Sequence, residues 1–148
     1  MSASHFHLLS KPEQFQNLKF RNAFVVKIDG ECSRTSADLY LQLESQFEFP
    51  EFFGKNLDAL YDCLMDLEWI TKDRIIIYFE RTDLLLSQEL TDPDILEDFL
   101  VTLHDVCVSW EVGAEALISP KTVSVYFSYA NSIVEILDSN DIEYDILD

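Results

Sequence analysis

The chain has 148 residues and a mass of 17.2 kDa, the size of one domain. Hydrophobic residues make up 48% and charged residues 26%, which excludes a disordered chain, and three glycines and four prolines exclude collagen-like or low-complexity sequence. Ten Lys and Arg stand against 28 Asp and Glu, a net charge of −18, so the surface repels phosphate backbones and anionic headgroups and is complementary to a basic partner.

Residues 1–22 read as a mixed leader in which Ser10 could cap a short helix. Ala23-Phe-Val-Val-Lys-Ile28 is the first predicted strand, closed by the turn dipeptide Asp29-Gly30. Thr35-Ser-Ala-Asp38 is a helix start, and Leu39, Leu43 and Phe47 then give one apolar stripe before Pro50 stops the helix. After an aromatic loop, Asn56 is the expected N-cap of a second helix reaching about Met65. Arg74-Ile-Ile-Ile-Tyr-Phe79 is a second strand whose continuous apolar run predicts burial on both faces, as in a parallel sheet. Thr91-Asp-Pro-Asp94 opens a longer helix with the stripe Ile95, Leu96, Phe99, Leu100, Leu103, Val106 and Cys107. Val123–Phe127 is a third strand, followed by a short helix from Ser132 to about Ser139 and a strand from Ile142 to Leu147. The alternation predicts a small two- or three-layer α/β domain. Its sheet is mainly parallel and three-stranded, with flanking helices, and the C-terminal helix–strand unit is placed to extend it.

Few residues support enzymatic chemistry. Each glycine stands alone, so no phosphate-binding loop exists, and no HExxH or HxE pattern occurs. His5 and His7 fall in the leader, and His104 is expected on the solvated side of its helix. Cys32, Cys63 and Cys107 are odd in number and widely spaced, which argues for reduced thiols in a cytoplasmic protein, with Cys63 buried in the second helix. No metal, cofactor, membrane span or secretion signal is expected.

The second helix carries the unusual chemistry. Advancing about 100° per residue puts Leu57, Leu60, Cys63 and Leu64 on one side, with Asp58 and Asp62 opposite, one turn apart. Tyr61 falls at the boundary and Asp66 extends the acidic stripe. Like charges at this spacing repel, and only Asp58 benefits from the helix dipole. Such a stripe is either the solvated face of an acidic protein or a mimic of successive phosphates that docks into a basic nucleic-acid site. An acid–base or metal pair is a third reading, which predicts a concave pocket beside both carboxylates.

The run Pro50-Glu-Phe-Phe-Gly-Lys-Asn-Leu-Asp-Ala-Leu-Tyr-Asp-Cys-Leu-Met-Asp-Leu67 resembles the signature of the barstar family, intracellular inhibitors of barnase-type ribonucleases. Val26-Lys-Ile-Asp-Gly-Glu31 and the later strand and helix are similar in order and spacing. The resemblance covers about residues 23–127 of a single 1–148 domain, with 1–22 a leader and 128–148 an extension. It implies that the second helix and the loop before it plug a nuclease active site. Asp58 and Asp62 would be the acidic contacts, Asp62 in the place of a substrate phosphate. Phe52 and Tyr61 would supply aromatic contacts, Gly54 and Asn56 would shape the loop and helix start, and Asp105 would be a peripheral acid; Asp66 completes the expected surface. Phe52 lacks the hydroxyl that the family often has there, and Lys55 is basic where the family often carries an acid. The implied partner is a basic, cytotoxic nuclease, most simply a ribonuclease other than barnase itself. An acidic interaction module with a non-nuclease partner is the alternative.

Overall fold

The computed structural model describes residues 4–49, 54–113 and 120–148. Within them, the strands β1 (Phe6–Leu9), β2 (Ala23–Asp29), β3 (Arg74–Glu80), β4 (Thr122–Ser128) and β5 (Tyr144–Leu147) form one sheet in the order β2-β3-β4-β1-β5, every pair parallel. The helices are α1 (Gln14–Asn17), α2 (Ser36–Phe47), α3 (Leu57–Asp66), α4 (Ile95–Gly113) and α5 (Asn131–Ser139). This is the expected parallel α/β fold, with five strands where three are expected. The C-terminal helix and strand do form an added unit, and β5 pairs with β1.

Side chains alternate across the sheet, so each strand feeds two faces. Val26 and Ile28, Ile75, Ile77 and Phe79, Val123, Val125 and Phe127, and Phe6 and Leu8 point to the main core. There they meet Leu39, Leu43 and Phe47 of α2, Leu60 and Leu64 of α3, Phe99, Leu103 and Val106 of α4, and Ile133 and Leu137 of α5. β3 is buried on both faces, as its apolar run predicts. Its second face is sealed by the segment after β1. Phe15 stacks on Tyr78 with centroids 4.1 Å apart, Phe20 meets Tyr126 edge-on, His7 stacks on Tyr126, and the Arg74 guanidinium lies 5.5 Å above Phe20. The residues read as a leader therefore supply both a strand between β4 and β5 and the cover of the sheet's second face.

Two single-residue expectations change for the same reason. Ser10 does not cap α1; Glu13 holds that position, and the Ser10 hydroxyl donates to the Leu147 carbonyl at 3.0 Å, tying the end of β1 to β5. His104 is half-buried rather than solvated, because β1 lies beneath α4: its ring meets Phe6 edge-on at 5.7 Å and sits 6.3 Å from His5. Burial first, and then the nearby His5, push the His104 pKa below its ordinary value, with Asp105 opposing.

The start of α2 shows how loops complete helices here. Thr35 is its N-cap, accepting from the Asp38 N–H at 3.3 Å. The next N–H, of Ser36, has no partner within the helix and donates to Glu89 Oε1 at 2.6 Å; the Ser36 hydroxyl donates to the same oxygen at 2.5 Å. Thr91 donates to the other carboxylate oxygen. These bonds, those of Ser36 foremost, hold the Glu89 pKa at about 2, against an ordinary 4.5. A depressed carboxylate pKa adds stability above its unfolded value and loses it as pH falls through its folded value. Glu89→Gln is therefore expected to flatten the pH dependence of the urea midpoint between pH 4.5 and 2, relative to wild type, with little change in that slope above pH 5.

Candidate functional site on the third helix

α3 begins where the sequence predicts. Asn56 is extended (φ −143°, ψ 172°) and its Oδ1 accepts from the Ala59 N–H at 2.7 Å. Just before it, Lys55 takes a left-handed conformation (φ 53°), and Asn56 Nδ2 donates to the Gly54 carbonyl. Gly54, Lys55 and Asn56 are exposed, while Phe52 lies outside the described residues.

The apolar side of α3 is anchored by Leu60, Cys63 and Leu64, all buried. Burial, followed by Asp66 and Asp62, raises the pKa of the Cys63 thiol, so it stays protonated and inert near neutral pH. Asp58, Asp62 and Asp66 are exposed on the outward side. The predicted acidic stripe is therefore real. Asp105 is exposed on α4, the helix packed beside α3. The structure thus gathers Asp58, Tyr61, Asp62 and Asp66 on one helix and sets Asp105 on its neighbour.

Side chains from outside α3 hold it in place. The Trp110 indole on α4 donates to the Leu64 carbonyl at 2.9 Å, satisfying an otherwise orphaned group in the last turn. Tyr61 is half-buried, with its hydroxyl 2.8 Å from Ser109 Oγ on α4. Beyond the helix, the buried Lys121 ammonium donates to the Ile70 and Lys72 carbonyls at 2.8 and 3.0 Å, fixing the chain that leads into β3. Neither Ser109 nor Trp110 belongs to the site that the sequence predicts. Trp110 continues the spacing of Leu103 and Val106, so its burial was legible; Ser109 carries no signal in sequence.

A cavity of about 360 Å³ is lined by His5, Trp110, Glu111 and Lys121 among others, and neither Asp58 nor Asp62 contributes to its wall. Among the described residues, no group of three or more His, Cys, Asp or Glu is placed to hold a metal ion. No helix there is long and apolar enough to cross a membrane.

The family model described as Barstar (barnase inhibitor) matches residues 23–122, from the first residue of β2 to the first of β4. The chain belongs to the barstar family. A Bacillus subtilis (strain 168) protein named "Putative ribonuclease inhibitor YrdF" is 31% identical to it over 65 residues, 44% of this chain and 71% of that protein. The whole of α3 lies inside the barstar match, whereas β1, α1, α5 and β5 lie outside it. This barstar-family chain therefore builds the β1 and β5 part of its sheet from segments that the family match does not include.

Proposed function

We propose that this protein is an immunity protein that acts in the cytoplasm. It binds a basic, cytotoxic ribonuclease and covers its active site with α3 and the loop before it. Asp58 and Asp62 stand in for successive RNA phosphates, and Asp66 and Asp105 extend the negative surface. Phe52 and Tyr61 supply aromatic contacts, and Gly54 and Asn56 set the entry of the chain into α3. No bond is made or broken; inhibition is occlusion.

One observation carries this reading. The helix inside the barstar match presents two exposed carboxylates one turn apart, on a backbone capped at its start by Asn56 and held near its end by Trp110. Exposure of both carboxylates, away from the cavity beside His5, supports a binding surface over an acid–base pair. A partner that binds RNA must be basic, and the net charge of −18 favours its encounter.

The test is inhibition of RNA cleavage by barnase and by a panel of basic bacterial ribonuclease toxins, with the purified chain as titrant. Stoichiometric inhibition of at least one supports the proposal, and inhibition of none overturns it. Electrostatic steering adds a second expectation. Stopped-flow association should approach about 10⁸ M⁻¹s⁻¹ at low salt and fall by at least about tenfold in 0.5 M salt. An on-rate indifferent to salt would show that the acidic surface does not guide docking.

A further inference from the structure

We infer that the Tyr61 and Ser109 hydroxyls are a positioning pair: they set the roll of α3 against α4 and thereby the spacing between the α3 carboxylates and Asp105. This rests on the reading of α3 as the blocking surface. The barstar resemblance implies a contact role for Tyr61, yet its hydroxyl is already spent on Ser109, 2.8 Å away on the neighbouring helix. Its ring is half-buried and packs against the core.

The restraints on α3 differ in what they fix. The Asn56 cap is local and refers to no other element. Trp110 grips a backbone carbonyl in the last turn and so holds the C-terminal end. The hydroxyl pair acts mid-helix, on a side chain adjacent in sequence to Asp62. On α3, Tyr61 lies about 60° from Asp58 and about 100° from Asp62, and on α4, Ser109 follows Asp105 by one turn and about 40°. A small roll of α3 would therefore change the distance from Asp62 to Asp105 directly. Repulsion along Asp58, Asp62 and Asp66 opposes a fixed arrangement, so a restraint at this point has something to resist. A rigid array of charges loses less freedom on binding than a mobile one, which favours a slow off-rate.

The test uses Tyr61→Phe, Ser109→Ala, the double variant and Ser109→Thr, in two assays. The first is amide hydrogen exchange on the free chain and needs no partner. Tyr61→Phe and Ser109→Ala should each speed exchange in 57–66 by about threefold to tenfold, the effect of one neutral hydrogen bond, and leave β3 amides unchanged. The double variant should do no more than either single one, and Ser109→Thr should restore slow exchange. The second assay is the off-rate from the ribonuclease that the wild type inhibits, beginning with barnase. It should rise by a similar factor, and Asp105→Ala should matter less in the Tyr61→Phe background. Unchanged exchange in 57–66, additive single effects, or equal acceleration in α3 and β3 would overturn the positioning role. Normal exchange effects with no ribonuclease inhibited would instead overturn the reading of α3 as a blocking surface.

Discussion

Replacing Asp62 with alanine is expected to weaken binding to the target ribonuclease by about 2–5 kcal/mol, while the urea midpoint of the free chain stays the same or rises slightly. The range is that of truncated, buried charge pairs in protein complexes generally, barnase with its inhibitor among them. The two halves of the expectation have separate causes. In the free protein the Asp62 side chain is exposed and its neighbours one turn away on either side are Asp58 and Asp66. Removing it relieves like-charge repulsion of a few tenths of a kcal/mol and leaves Leu60, Cys63 and Leu64 in place. In the complex, the basic groups that would bind an RNA phosphate lose their counter-charge while remaining shielded from water. The penalty is mainly that of uncompensated buried charge. Asp62→Asn, which keeps the shape, should lose most of the same affinity if charge dominates. Titration calorimetry against the inhibited ribonuclease measures both. Wild-type affinity in Asp62→Ala would place the blocking surface elsewhere.

What was legible in the sequence is what is local. Every element of the α3 surface lies within a dozen consecutive residues: the Asn56 cap, the apolar stripe and the acids at 58, 62 and 66. Helical geometry alone relates them. β3 was legible because burial on both faces leaves an unbroken apolar run. β1 was not. Phe6-His-Leu-Leu9 is only four residues long, and its partners are Val125 to Ser128 and Tyr144 to Leu147 at the far end of the chain. The environments of Ser10 and His104 depend on that strand, since Ser10 bonds the Leu147 carbonyl on β5 and His104 packs on Phe6 of β1. The ties between α3 and α4 have the same character: Tyr61–Ser109 and Leu64–Trp110 are 48 and 46 residues apart. Sequence showed which residues face outward on α3. Only the assembled fold shows what keeps them there.

The turns at the C-terminal ends of β2 and β3 support the largest expected loss of stability, in Gly30→Ala. Gly30 is buried and opens the short turn Gly30–Cys32 that leads toward α2. A Cβ there would lie 2.0 Å from the Arg81 carbonyl oxygen, 2.9 Å from its carbon and 3.1 Å from the Leu85 nitrogen. All three are backbone atoms, so no side chain can swing away. The Arg81 backbone is also committed. It is left-handed (φ 49°), its carbonyl accepts from Leu84 N–H at 3.0 Å, and its guanidinium pairs with Asp29 and with Glu31. Next to it, the Thr82 hydroxyl donates to the Phe79 carbonyl at 2.9 Å. Relief therefore requires the two turns to separate, against the Arg81 pairs with Asp29 and Glu31 and against the backbone bonds from Leu86 N–H to the Ser33 carbonyl and from Gln88 N–H to the Arg34 carbonyl, which join the same two segments. Overpacking in a closed site costs about 1–3 kcal/mol, and the coupled loss of hydrogen bonds places Gly30→Ala at about 3 kcal/mol or more. Arg81→Ala is the control. Its ion pairs are exposed to solvent and contribute little, so most of the effect belongs to the backbone contact. In urea denaturation, Gly30→Ala should lower the midpoint with an unchanged slope, whereas a shift no larger than that of Arg81→Ala would show that the turns can part without penalty. Because α3 is held by Asn56 and α4, not by these turns, the fraction of Gly30→Ala that stays folded should still bind the ribonuclease with wild-type affinity.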